Sequence, residues 1–213
     1  MPVYLAFGDS NTHGTKPSSV PDSFERWGRS SRWVRIAHAA LPDDWDLAEE
    51  GLPGRTTQFE DPIMGAHMNG VTGLKIALMT HAPISLVSIM LGTNDVKSRQ
   101  GVAPEQCASG IACLIDIIRH PEMEARTGQP KILVIAPPPV NVTDDRAAEW
   151  TGATEKSMAL SGLYRTVAAA YGAEFLDAAD YISVAEGEGI HFDEAAHHSL
   201  GRAVGSKLAE MID

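Results

Sequence analysis

Ser10 ends the run Tyr4-Leu5-Ala6-Phe7-Gly8-Asp9-Ser10-Asn11-Thr12, an apolar stretch that stops at a small, hydroxyl-bearing turn. Far along the chain, Glu188-Gly189-Ile190-His191 sets a carboxylate three residues before a histidine. Two more turns lie between them, Gly51-Leu52-Pro53-Gly54 and Leu91-Gly92-Thr93-Asn94-Asp95. A serine becomes a nucleophile when a base takes its proton, a third group orients that base, and donors hold the oxyanion that forms. The chain has a candidate for each role. Ser10 can attack, His191 can take the proton, and a tight turn can fold Glu188 back onto the imidazole. Asn94 can donate its side-chain amide, Gly54 a backbone N–H that no Cβ obstructs, and Ser10 its own amide at a helix start.

Each residue also has a plainer reading. Gly8-Asp9-Ser10-Asn11 is rich in turn formers, and Asn94 fits a cap equally well. The first block is not a G-x-S-x-G elbow, because Thr12 stands where the last glycine belongs. One histidine among eight carries little weight until its spacing from Glu188 is added. His191, Asp193, His197 and His198 have metal-ligand types, but no second ligand cluster accompanies them, so no metal is expected. The glycine-serine-lysine run within Gly201–Lys207 lacks P-loop spacing, and no G-x-G-x-x-G follows the first apolar run, so no cofactor is expected either.

Candidate strands recur at Val3–Phe7, Asp46–Glu49, Ser85–Leu91, Lys131–Ala136 and Ala173–Leu176. The third and fourth are nearly continuous apolar runs, as strands covered on both faces must be. Helical stripes fall between and after them: Trp33, Ile36 and Ala40; Cys107, Ile111, Leu114, Ile115 and Ile118; Leu160, Leu163, Tyr164 and Val167; and Ala195–Met211. This alternation predicts a parallel sheet between two helical layers, with working residues at the carboxyl ends of the strands. Ser10, Gly54 and Asn94 follow the first three strands, Pro137-Pro138-Pro139 follows the fourth, and His191 precedes the last helix. The long connections 58–69 and 140–152 should rim the same edge.

The length of 213 residues fits one domain spanning 1–213 with its own core. A net charge of −11 disfavours nucleic acid and anionic membrane as partners. No apolar run approaches the roughly 20 residues that cross a bilayer, and no signal segment precedes the first strand, so a cytoplasmic location is expected. Cys107 and Cys113 fall on one helix, roughly 9 Å apart along its axis, too far for a disulfide. Both read as buried small hydrophobes.

Taken together, Gly8-Asp9-Ser10-Asn11-Thr12, Gly54, Gly92-Thr93-Asn94-Asp95 and Glu188-x-x-His191 resemble the four blocks of the SGNH (GDSL) hydrolase superfamily, in order. Glu49–Thr57, Ile89–Asp95 and Gly189–Phe192 look more narrowly like its arylesterase and acyltransferase branch, which includes perhydrolase-type enzymes. The resemblance runs from about residue 3 to the end. It implies a flavodoxin-like three-layer α/β/α sandwich with a central five-stranded parallel sheet. It also implies a small-molecule ester as substrate, no cofactor, and a homo-oligomer. It assigns Ser10 as nucleophile, His191 as base, and the Ser10 amide, Gly54 amide and Asn94 side chain as the oxyanion hole.

Two departures stand out. The family's acid is usually aspartate, whereas position 188 is Glu, one methylene longer; Asp193 is the fallback. Where perhydrolase-type members carry bulky aromatics, this chain has His13 and Thr15, which favours hydrolysis over acyl transfer and suggests acetylated sugars as substrates. A thioesterase or lysophospholipase would want an apolar groove that the polar stretch 141–150 does not suggest. A binding domain with an impaired triad is the non-enzymatic rival. Asp9 and Asp95 are read as organising their turns, and Arg55 as pairing with a carboxylate or meeting a subunit.

Overall fold

The computed structural model describes residues 1–18 and 25–212. β1 (Val3–Gly8), β2 (Asp46–Gly51), β3 (Leu86–Met90), β4 (Lys131–Ala136) and β5 (Glu174–Asp177) form one sheet in the order β2-β1-β3-β4-β5, every pair parallel. This is the doubly wound flavodoxin-like order. The chain reverses direction across the sheet at β1 and β3, which opens a crevice beyond the ends of those two strands.

Side-chain alternation along each strand divides the interior into two cores. On one face Tyr4, Ala6, Leu86, Leu133 and Ile135 pack with Trp33, Val34 and Ala37 of α2 (Trp33–His38). Leu200, Val204 and Leu208 of α7 (Glu194–Ile212) complete that core. On the other face Leu5, Phe7, Val87, Ile89 and Val134 meet α3 (Gly70–His81), α4 (Pro104–Ile118) and α6 (Ala153–Tyr171), through Leu74, Leu78, Ile111, Leu114, Leu160 and Tyr164. Two short helices, α1 (Ser10–His13) and α5 (Pro121–Thr127), complete the set. Tyr4 Oη and Ser88 Oγ lie 2.7 Å apart, so the hydroxyl buried in β3 has a partner in β1.

The strand expectations hold to within two residues at each end. The stripe Trp33, Ile36, Ala40 overshoots, since α2 ends at His38. The helix α3 carries no strong periodic signal, because Ile76 and Met79 are exposed on the face opposite Leu74 and Leu78, and Gly70 and Gly73 lower its propensity. Asn69 starts it by accepting from the Val71 amide at 2.9 Å. A Cβ at Gly70 would come within 2.5 Å of the Thr56 carbonyl, so the glycine lets this helix press against the loop after β2. Neither cysteine is in a disulfide; Cys107 is buried as expected, but Cys113 is only half-buried. Among the described residues no helix is long and apolar enough to cross a membrane.

Candidate active site

β1 delivers Ser10 directly into the first turn of α1. Asp9 caps that turn: its carboxylate accepts from the Asn11 amide at 2.9 Å, and burial pushes its pKa up to about 6 against that bond. Ser10 Oγ lies 3.0 Å from His191 Nε2, although the two residues are 181 positions apart. One hydrogen bond ties their loops together, from Asn11 Nδ2 to the Ile190 carbonyl at 3.1 Å. Trp33 Nε1 in turn donates to the Asn11 carbonyl at 3.0 Å, which anchors the serine turn on α2.

The loop before α7 folds Glu188 onto the histidine. His191 Nδ1 donates to Glu188 Oε1 at 2.7 Å, which leaves Nε2 as the acceptor facing Ser10. Glu188 Oε2 takes the Ile190 and His191 amides at 2.9 and 2.7 Å. The extra methylene is therefore absorbed by a side chain that turns back on its own backbone. Burial works against ionisation of this carboxyl, but the His191 bonds and the two amides outweigh it and hold the pKa at about 2. Asp193, the fallback acid, is exposed and accepts from the Ala196 amide at 2.7 Å in the first turn of α7.

Asn94 lies in the turn after β3 and is buried. One of its two Nδ2 hydrogens goes to the Arg55 carbonyl at 3.0 Å, which fixes the amide and leaves the second hydrogen to point elsewhere. Gly54 sits two residues before Thr56, in the same loop, at φ 91°, a left-handed conformation that strains any residue with a Cβ. Asp95 stabilises this loop from below. It accepts from the Thr57 amide at 3.0 and 3.1 Å and from the Thr57 hydroxyl.

Ser10, Gly54, Asn94, Glu188, Ile190 and His191 line one cavity of about 190 Å³. Both long connections reach it, the first through Met64 and the second through Arg146, Glu149 and Trp150. The volume is below the roughly 300–1,000 Å³ usual for drug-sized ligands. Among the described residues no three His, Cys, Asp or Glu side chains group as a ligand set. His197 is buried and accepts from the Trp33 amide at 3.3 Å, and burial pushes its pKa down to about 4.

Sequence reasoning assigned several neighbours differently. Among the described residues Arg55 pairs with no carboxylate: its guanidinium is buried over the Phe7 ring at 4.1 Å and donates to the Gly8 carbonyl at 3.0 Å and to the Glu50 carbonyl. Its role is to join β1 and β2 at the site's edge. Thr15 lines the cavity, but His13 turns back toward it, Nδ1 lying 3.3 Å from Thr15 Oγ1. Arg146 was missed altogether. It donates to Glu188 Oε1 at 2.9 Å and to Asp144, so the oxygen that orients His191 also accepts from a guanidinium. Nothing in the run Asp144-Asp145-Arg146 marks a contact 42 residues away.

The model of the GDSL-like lipase/acylhydrolase family matches residues 6–198. A carbohydrate acetylesterase from Sinorhizobium meliloti is 37% identical, with a TM-score of 0.93 over 99% of this chain and 100% of that one. The inhibitor-bound aryl esterase of M. smegmatis is 32% identical, with a TM-score of 0.92 over 99% of each chain. A carbohydrate acetylesterase family member from Sinorhizobium meliloti is 31% identical, with a TM-score of 0.90 over 100% of this chain and 99% of that one. No curated protein sequence matches the chain.

Proposed function

The chain belongs to the GDSL-like lipase/acylhydrolase family and is a carboxylic ester hydrolase, and on that footing we propose that it cleaves acetyl and other short-chain esters with Ser10 as nucleophile, His191 as general base and Glu188 as the acid that orients the base. The observation that carries this reading is the continuous relay from Ser10 Oγ to His191 Nε2 and from His191 Nδ1 to Glu188, with 3.0 and 2.7 Å links, opening into the small cavity.

His191 takes the Ser10 proton as Oγ attacks the ester carbonyl. The carbonyl oxygen becomes an oxyanion held by the Ser10 amide, the Gly54 amide and the free Asn94 hydrogen. His191, now cationic beside Glu188, gives its proton to the leaving alcohol. Water then enters, His191 removes its proton, and the acyl group departs from Ser10 by the reverse path. Each oxyanion donor contributes about 3–4 kcal/mol to the transition state. Asn94→Ala is therefore expected to lower kcat about 10²- to 10³-fold with a much smaller change in KM, as steady-state kinetics on an aryl acetate would show.

Glu188 supplies both charge and two acceptor oxygens, and the four N–H groups it serves, from Ile190, His191 and Arg146, cannot all be served by a carboxamide. Glu188→Gln is expected to lower kcat by about 10⁴-fold, by analogy with loss of the orienting acid in serine triads. Glu188→Asp keeps the charge but is one methylene short, so it should lose less than the glutamine variant. Equal losses in both would mean that the length of the side chain, not its charge, supports His191.

The cavity size and the esterase neighbours support short acyl groups. A series of aryl esters should give the highest kcat/KM at two to four acyl carbons. A peak at eight or more carbons would favour the lysophospholipase or thioesterase reading. Thr15 in place of a bulky aromatic, together with charged walls, supports water as the acyl acceptor; mostly transfer product in the presence of a competing alcohol would favour the acyltransferase reading instead.

A further inference from the structure

Most charged side chains lining the cavity have an oppositely charged partner. Lys16 Nζ lies 3.1 Å from Glu25, Arg146 is bound to Asp144 and Glu188, and Glu149 lies 3.0 Å from Arg99. Lys97 is the exception. It lines the cavity three residues after Asn94 and is half-buried. Among the described residues no carboxylate lies within 4 Å of its ammonium and no oxygen accepts a hydrogen bond from it. Among the described residues its ammonium lies over the Trp150 ring, whose centroid is 5.0 Å from Nζ.

An ammonium partly desolvated without an anion beside it loses hydration, and a ring face replaces only part of that. Three donors here point at nothing the described protein supplies, next to the place where the ester must sit. The Trp150 ring covers one side of the ammonium, and the cavity that Lys97 lines lies beside it.

Resting on the esterase reading above, we propose that Lys97 is the recognition cation for an anionic group of the substrate, so that the preferred esters are short ones carrying a carboxylate close to the scissile carbonyl. The net charge of −11 does not oppose this, because exposed charges beyond about 8 Å are largely screened at physiological salt. The carboxylate can belong to the acyl group, as in a dicarboxylic half-ester, or to the alcohol, as in an acylated hydroxy acid or sugar acid. Burial, with the Arg99 charge acting the same way and Asp61, Glu149 and Asp9 opposing, lowers the Lys97 pKa to about 8. The ammonium is thus mostly charged at pH 7 and mostly neutral well above pH 8.

The test compares kcat/KM for phenyl acetate, 4-carboxyphenyl acetate and phenyl hemisuccinate in the wild type, Lys97→Met and Lys97→Arg. Each anionic ester is expressed as a ratio to phenyl acetate within the same protein, so that any general effect of the substitution cancels. The expected result is that Lys97→Met lowers this ratio about tenfold or more for one of the two anionic esters, and Lys97→Arg keeps most of it. Whichever ester responds identifies the side of the bond that carries the charge. The same ratio in the wild type should fall between pH 7 and pH 9.5, since protonation of the triad affects numerator and denominator alike. Ratios that are the same in all three proteins, or insensitive to pH, would overturn the proposal while leaving ester hydrolysis intact. Failure of the wild type on phenyl acetate and on both anionic esters would instead count against the esterase mechanism itself, and with it this inference.

Discussion

Ser10→Ala is expected to lower kcat on a short aryl ester by about 10⁴- to 10⁶-fold, because the nucleophile acts as a unit with its base and cannot be replaced by either partner alone. The residual rate would come from the oxyanion donors and from binding. His191→Ala should cost nearly as much, and the double variant little more than either single one. Stability should barely respond. Ser10 Oγ has His191 as its partner and faces an open cavity where water can replace it, so a shift of more than about 2 °C in Tm is not expected. A large loss of activity with an unchanged melt would separate chemistry from folding. Loss of the fold in Ser10→Ala would mean that the serine is structural.

The second large effect is on stability. Asp95 is fully buried, and both of its oxygens accept from Thr57. Asp95→Ala strands a buried amide and a hydroxyl, which should cost about 3 kcal/mol and, for a chain of this size, lower Tm by roughly 6–12 °C. Activity should fall as well, since Thr57 belongs to the loop that presents Gly54. The pH dependence of this site is opposite in sign to that of Glu188. Burial raises Asp95 from 3.8 to about 6, with the Thr57 bonds opposing and the Asp9 charge reinforcing it. The folded state thus binds this proton more tightly than the unfolded one, so Asp95 stabilises fully below about pH 4 and progressively less as pH rises through 6. Glu188, lowered from 4.5 to about 2, stabilises above about pH 4.5 and loses that contribution as pH falls toward 2. Asp95→Asn cannot take up the proton, so its Tm deficit relative to the wild type should be larger at pH 5 than at pH 7.5. A deficit that shrinks on acidification would contradict the assigned direction.

What the sequence disclosed follows from how local each signal is. Leu86–Met90, apart from Ser88, and Ile132–Ile135 are apolar because both faces of a central strand are covered, and their identity needs no knowledge of the rest. The turns holding Ser10 and Asn94 were legible because each follows a central apolar strand, and the one holding Gly54 because its glycines and proline end the outer strand β2. Glu188 and His191 were legible because three residues separate them. The structure brings these five together in one cavity, and no local rule requires that. The helix Gly70–His81 was obscure because Ile76 and Met79 are exposed opposite Leu74 and Leu78, and because its glycines serve contact with the Thr56–Thr57 loop at the expense of helix propensity. Arg55 misled for a related reason. An arginine in a turn reads as a surface ion, yet this one is buried and bonded to carbonyls of two strands. Arg146 and Lys97 gave no signal, since one acts through a long-range ion pair and the other through the absence of a partner among the described residues.

The central claim is that Ser10 forms the covalent acyl intermediate with His191 as its base. Treatment with a small fluorophosphonate, followed by intact-mass and peptide mapping, tests it most directly. One adduct on Ser10 in the wild type, none in Ser10→Ala, and much slower labelling in His191→Ala is the result this account predicts. An enzyme that hydrolyses esters while its adduct maps to another residue, or that still hydrolyses after Ser10→Ala, would contradict it.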